Sequence, residues 1–454
     1  MTSCDLIIRN GTVVTHDGER PTDIGIAEGR IVALQPDLRG DAQETVEATG
    51  LHIFPGLIDS HVHFNDPGRE HWEGIESGSR ALAAGGGTMF FDMPLNSSPP
   101  TLDAASFDAK LAVAQRTSLT DFALWGGLTP GNLDNLEGLA ERGVVGFKAF
   151  MANSGIEDFP RADDATLREG MKRAAKLGRV VAVHAEDEEI TSELTKRDLA
   201  QNKTSIREYL ESRPIRAELR AISRAIKLAD ETKCALHIVH VSSAAGVARI
   251  ALPRMRGANV TCETCPHYLT LTAEDMMELG AVAKCAPPLR TVSEGRNNLW
   301  ANMHADSANI TTIGSDHSPS PPEMKADQNF FKIWGGISGV QHTLPVLLTE
   351  GYEKRGLPLH QIARLTSFNV AERFQLPHNK GRVAIGADAD FALVDLSQKF
   401  TVRSEELFYR HKQSPYLGRT LTGRVVRTIL RGQTVFKNGK IVGPSAGRFV
   451  KPQP

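Results

Sequence analysis

Cysteine is scarce in this chain of 454 residues, with five in all: Cys4, Cys234, Cys262, Cys265 and Cys285. An odd, thin scattering cannot frame a small disulfide-stapled secreted domain, and it leads us to expect reduced thiols in a cytoplasmic protein. Net charge is almost absent too, with 52 basic residues against 54 acidic ones. No field of one sign is then available to hold nucleic acid or an anionic membrane. Long apolar runs are missing, since no window approaches the roughly 18 continuous apolar residues of a membrane span. The first eleven residues alternate like a strand and lack the basic-then-apolar layout of a secretion signal. Repeats and low-complexity tracts are also absent. What is there, 41% hydrophobic and 23% charged residues, is ordinary for a globular chain. Its length lets it bury a large core without covalent staples.

That length suggests two or three domains, or one large barrel with additions. The first 50 or so residues are short β runs punctuated by Gly, Asp and Asn, and residues 390–395, 424–431 and 433–436 read the same way. Two β-rich ends around a long middle predict a small β-sandwich shared by residues 1–53 and 376–454. Between them, strand-like runs near 54–63, 88–94, 122–127, 145–150, 180–184, 235–240, 259–264 and 310–316 alternate with helical stretches such as 167–177 and 217–229. Eight such units predict an α/β fold, a (β/α)8 TIM barrel over residues 54–375.

In such a barrel the reactive groups lie where the strands end. His61 and His63 are alternate residues at the end of the first run, so both imidazoles can face one centre. Lys148, His184, His240 and Asp316 end the fourth, fifth, sixth and eighth runs. A hydrogen-bonded core histidine, a snorkelling lysine or a helix-capping aspartate accounts for any one of these. It does not account for all of them converging. An ammonium cannot bind a metal, but a lysine desolvated in a barrel has a lowered pKa and can take up carbon dioxide as a carbamate. His237 lies one residue off the alternating face and is expected to stay outside the set.

The motifs Pro55-Gly56-Leu57-Ile58-Asp59-Ser60-His61-Val62-His63, Gly146-Phe147-Lys148, Val183-His184-Ala185-Glu186, His240-Val241-Ser242-Ser243 and Gly314-Ser315-Asp316-His317 resemble the metal-site motifs of the amidohydrolase superfamily. The likeness is to its cyclic-amide branch and extends over essentially the whole chain, including the flanking β segments. It implies two divalent ions per subunit: zinc, or cobalt, manganese or iron. By that resemblance His61, His63 and Asp316 bind one ion, His184 and His240 bind the other, and N6-carboxylated Lys148 bridges them. The implied reaction is attack of a metal-activated hydroxide on a ring amide, with Asp316 as the catalytic proton shuttle. A homotetramer is implied by the same analogy. A scaffold relative of this fold would have lost such ligands, and a mere carrier of cyclic ureides would need neither the lysine nor the metals.

The loop after His63 bears on the substrate. Members of the branch that open dihydroorotate carry arginine two positions after the second histidine, where it pairs with a carboxylate. Asn65 stands there instead. A small cyclic ureide with a neutral substituent, such as allantoin, needs hydrogen bonds rather than a cation, and Asn65, Asn96 and Ser318 are the expected substrate contacts. 5-Substituted hydantoins are the second expectation and dihydroorotate the third. Ala286 stands where related enzymes often carry serine. Cys262 and Cys265 form half a metal or redox motif without a second pair, so a structural role is expected. Trp334-Gly335-Gly336 reads as a tight loop near the site.

Overall fold

The computed structural model describes residues 4–304 and 309–453. Both ends of the chain are β-rich, and they interlock. One sheet has the order Arg30–Gln35, Asp23–Ala27, Cys4–Arg9, Ala42–Glu47. A seven-stranded sheet runs Lys440–Ile441, Gln433–Lys437, Thr420–Leu430, Phe391–Thr401, His52–Pro55, Thr12–Val14, Glu19–Pro21. In it His52–Pro55 is hydrogen-bonded to Phe391–Thr401 on one side and Thr12–Val14 on the other. Inward-facing Leu6, Ile8, Ile24, Ile53, Phe391, Leu393 and Ile429 form the core of this β-sandwich. Residues 1–3, the start of the run read at the N-terminal end, lie outside the described residues.

Gly56 separates the sandwich strand from the first barrel strand, Leu57–Val62. A Cβ at position 56 would lie 2.2 Å from the Thr88 hydroxyl, so only glycine lets the chain pass. Parallel strands follow at Gly87–Asp92, Asp121–Leu124, Gly146–Phe150, Val180–His184, Leu236–Ile238, Val260–Thr264 and Thr312–Ile313. The third strand kinks at Trp125 and continues as Gly126–Gly127 to pair with the fourth. The ring closes where the chain beyond Ile313 returns to the first strand. His63 N donates to His317 O at 2.8 Å, and Ser315 N donates to Asp59 Oδ1 at 3.0 Å.

The strands are buried on both faces, as a barrel wrapped by helices requires. Ile215–Thr232 shows why these helices form: Ala217, Ala221, Ile222, Ala225 and Leu228 recur on one face and are buried, while the charged residues other than Glu218 lie on the outer side. Several strand expectations are shortened: strand one begins at Leu57 rather than 54, strand six ends at Ile238 and strand eight at Ile313, ahead of His240 (φ 40°) and Asp316 (φ 46°), which leave the extended conformation. Among the described residues no helix is long and apolar enough to cross a membrane.

Candidate metal centre

The ends of strands one, four, five, six and eight bring His61, His63, Lys148, His184, His240 and Asp316 to one cavity of about 480 Å³. That lies within the ~300–1,000 Å³ usual for small-molecule sites. Asp316 Oδ1 lies 3.2 Å from His61 Nε2 and 3.4 Å from His63 Nε2. Across the cavity His184 Nδ1 lies 3.1 Å from His240 Nε2. The His61 and His240 ring centroids are 5.5 Å apart, so the two groups adjoin. Both His240 and Asp316 hold left-handed backbones, a strain that non-glycine residues bear mostly where a site requires it.

Electrostatics sort these groups by charge. Burial pushes the Asp316 carboxyl up, but the imidazoles of His61 and His63 outweigh it and hold the group at about 2. Burial pushes the Lys148 amine down to about 8. Lys148 Nζ is fully buried without a hydrogen-bond partner, 5.0 Å from the Phe150 ring centroid. An orphaned buried amine costs free energy unless something else meets it. The donors fit a divalent cation: one ligand atom each from His61, His63 and Asp316 lie within 4.8 Å of one another. Imidazole and carboxylate suit zinc and its neighbours.

Several residues behind this layer went unassigned in the sequence. Glu263 Oε1 is 2.8 Å from His61 Nδ1, and its Oε2 accepts from Ser60 Oγ at 2.9 Å. Glu186 Oε2 is 2.8 Å from His184 Nε2 and pairs with the Arg213 guanidinium. Burial pushes the Glu186 carboxyl up, but Arg213 and His184 bring it to about 2. Carboxylates of this kind fix the tautomer and orientation of a ligating imidazole. The one signal available was a glutamate inside an otherwise uncharged buried strand, Val260–Thr264.

Of the expected substrate contacts, Asn96 and Ser318 line the cavity, with Asn96 Nδ2 3.4 Å from Ser318 Oγ. Asn65 does not. Its left-handed backbone (φ 69°) turns its amide towards Pro319 O at 3.5 Å, behind the wall. Arg213, Lys284, Asn153 and Asn329 line the cavity unanticipated, and Ala286 and the Trp334-Gly335-Gly336 loop line it too, the loop near the site as expected. His237 stands apart, with Nδ1 2.8 Å from Thr261 Oγ1. Cys262 and Cys265 are buried, the Cys262 thiol facing Asn309 O at 3.4 Å.

Residues 52–435 match the model of the amidohydrolase family. The chain is 56% identical over 453 residues to a protein named allantoinase from Rubrobacter xylanophilus, covering 100% of this chain and 99% of that one. It is 42% identical over 454 residues to an Escherichia coli allantoinase, covering 99% of each. Among solved structures, the L-hydantoinase (dihydropyrimidinase) of Arthrobacter aurescens superposes with a TM-score of 0.96 at 34% identity, covering 99% of this chain and 100% of that one.

Proposed function

The chain belongs to the amidohydrolase family, and from that membership we propose that it hydrolyses the ring amide of allantoin to the open ureido acid, allantoate. It is a metal-dependent hydrolase of cyclic amides, and its substrate is a small cyclic ureide. The observation that carries the allantoin reading is the convergence of six metal-competent side chains on one cavity, in a chain alike along its whole length to allantoinases.

In this reading two divalent ions would be held by His61, His63 and Asp316 on one side and His184 and His240 on the other, with Lys148 as the remaining candidate ligand. Neutral Lys148 would add to carbon dioxide, forming a nitrogen–carbon bond and releasing a proton, and the resulting carbamate would be a further anionic ligand. Bound ions of this kind supply an acidified water, its pKa falling from about 15.7 towards 7, and polarise the amide carbonyl. The protein's own groups do the rest. Asp316 is ionised at neutral pH; its Oδ1 faces the imidazoles, leaving Oδ2 to take the proton of the attacking water and hand it to the departing ring nitrogen. Asn96 and Ser318 hydrogen-bond the ring and its ureido arm. Glu263 and Glu186 keep His61 and His184 oriented. Residues 54–375 carry the chemistry, while 1–53 and 376–454 brace it. We propose a cytoplasmic homotetramer as the working form; the five cysteines are buried and none forms a disulfide among the described residues, which suits a reducing compartment.

Hydantoin hydrolysis is the second reading, favoured by the close superposition on a hydantoinase. Metal-reconstituted protein separates the two when allantoin, a 5-substituted hydantoin and dihydroorotate are compared side by side. Allantoin with much the highest kcat/KM, abolished by a chelator, upholds the proposal. A faster hydantoin overturns the substrate and leaves the chemistry.

A further inference from the structure

One wall of the cavity, residues 329–336, is held by its backbone from two lysines outside the metal centre. Lys284 Nζ donates to the carbonyls of Phe330 at 2.6 Å, Phe331 at 3.5 Å and Ile333 at 2.5 Å. Lys325 Nζ donates to those of Trp334 at 3.2 Å and Gly336 at 2.9 Å, and to Ala281 O at 3.2 Å. The Lys284 backbone completes the loop, its carbonyl accepting from Gly336 N at 2.8 Å. Its ammonium also lies 4.6 Å from the Tyr209 ring centroid.

Lys284 is buried and Lys325 half-buried, and among the described residues both are met by carbonyl dipoles rather than by a carboxylate. Burial pushes the Lys284 amine down to about 7 and the Lys325 amine down to about 8. Desolvating an ammonium without a counter-ion costs stability, and an apolar side chain of similar length would cost less. What the two lysines hold therefore explains them better than what they add to stability. They hold the wall against the substrate side of the cavity: a Cβ at position 336 would lie 2.0 Å from Ser318 O, and Ser318 N donates to Ile337 O at 3.0 Å. Moving the wall moves Ser318.

We propose that Lys284 and Lys325 are positioning residues that clasp the 329–336 wall and so decide which ring substituent the cavity accepts. The idea rests on reading this cavity as the ring-hydrolysis site. Its test compares Lys284→Met, Lys325→Met and the double variant with the parent and with Lys284→Arg, which keeps the donors. Trp334 lies in the wall, 4.8 Å from Trp72 between ring centroids, and reports on it. Its acrylamide quenching is isolated by difference against Trp334→Phe.

The Met variants are expected to expose Trp334 to quencher and raise KM for allantoin about tenfold while kcat changes less than about twofold. Selectivity for allantoin over a bulky hydantoin falls with KM, and Lys284→Arg recovers most of the loss. Unchanged KM and quenching in both single variants overturns the clasp, and so does a fall in kcat alone. If Lys284→Met fails to fold by circular dichroism, Lys325→Met carries the same comparison. A parent protein that opens none of the rings sinks the functional reading, and the quenching result still decides the clasp.

Discussion

Glu263 meets His61 across 202 residues of sequence, at 2.8 Å, and leaves the far nitrogen of that ring facing Asp316. Glu263→Gln keeps the shape but not the charge. It is expected to lower metal affinity or kcat/KM by about 10- to 100-fold, read by chelator competition and steady-state kinetics. Lys148→Ala removes the one buried amine at the centre that has no hydrogen-bond partner in the fold. The expected outcome is a folded protein by circular dichroism that has lost most of its metal by elemental analysis and nearly all its turnover. Full metal content in that variant would end the bridging assignment. The six expected metal-site residues were legible because each is a polar group at the end of an apolar run, at a position where barrels gather function. Glu263 and Arg213 were not, since their part exists only as distances between segments well separated in sequence; Glu186 stands two residues after His184, but nothing in the sequence says that its carboxylate turns back to that ring. Asn65 was expected in the pocket because it follows His63, and in the fold its amide faces Pro319 O at 3.5 Å, outside the cavity lining.

At the scale of an element, strand six is short, and what fixes His240 beyond its end is a helix. Glu218, buried on Ile215–Thr232, accepts from Ser242 N at 2.7 Å, Ser242 Oγ at 3.0 Å and Ser243 Oγ at 2.7 Å. Glu218→Ala breaks charge-assisted bonds in a buried place, and a loss of about 2–3 kcal/mol is expected in denaturant unfolding. Metal retention should fall with it, because the turn after His240 loses its anchor. A variant of undiminished stability would show that the serines find other partners. The helices themselves were legible, their apolar faces recurring at the helical period. Strand ends were not. Apolar alternation runs past Ile238 and Ile313, whereas the regular ladder ends there and only single bonds continue it, such as Val241 N to Glu263 O at 2.8 Å, and where regular pairing ends depends on the neighbouring strand.

Across the whole molecule, barrel and sandwich are tied together at Asp121, which meets two cations: the buried Lys380, and Arg431 between two sandwich strands. Lys380 Nζ lies 2.6 Å from Asp121 of the third barrel strand, and 2.8 and 2.7 Å from Asp388 and Asp390 beside the sandwich. Those three carboxylates lie close enough together to hold a metal, but the lysine already fills that role. Burial pushes the Lys380 amine down, and the three aspartates outweigh it and raise it above the usual lysine value. A raised lysine gives its full stability below the unfolded value of about 10.4 and loses it only as pH climbs through the folded one. Between about pH 6 and 9 its contribution should therefore be flat. Lys380→Met, which leaves Asp390 without its cation while Asp121 keeps Arg431 and Asp388 keeps Arg30, is expected to cost about 3 kcal/mol throughout that range. A melting temperature matching the parent's would show the knot to be dispensable. The two-part architecture was legible from the β-rich ends, whereas this junction was not, since a lysine and three aspartates in separate segments carry no shared pattern. The interlocked sheet has a consequence for how the protein is made. His52–Pro55 leaves the ribosome more than 300 residues before its neighbour Phe391–Thr401, a delay of roughly 15–60 s at about 5–20 residues per second. For that interval a finished strand offers a bare hydrogen-bonding edge to whatever passes, so the nascent chain needs shelter at its beginning until its end arrives.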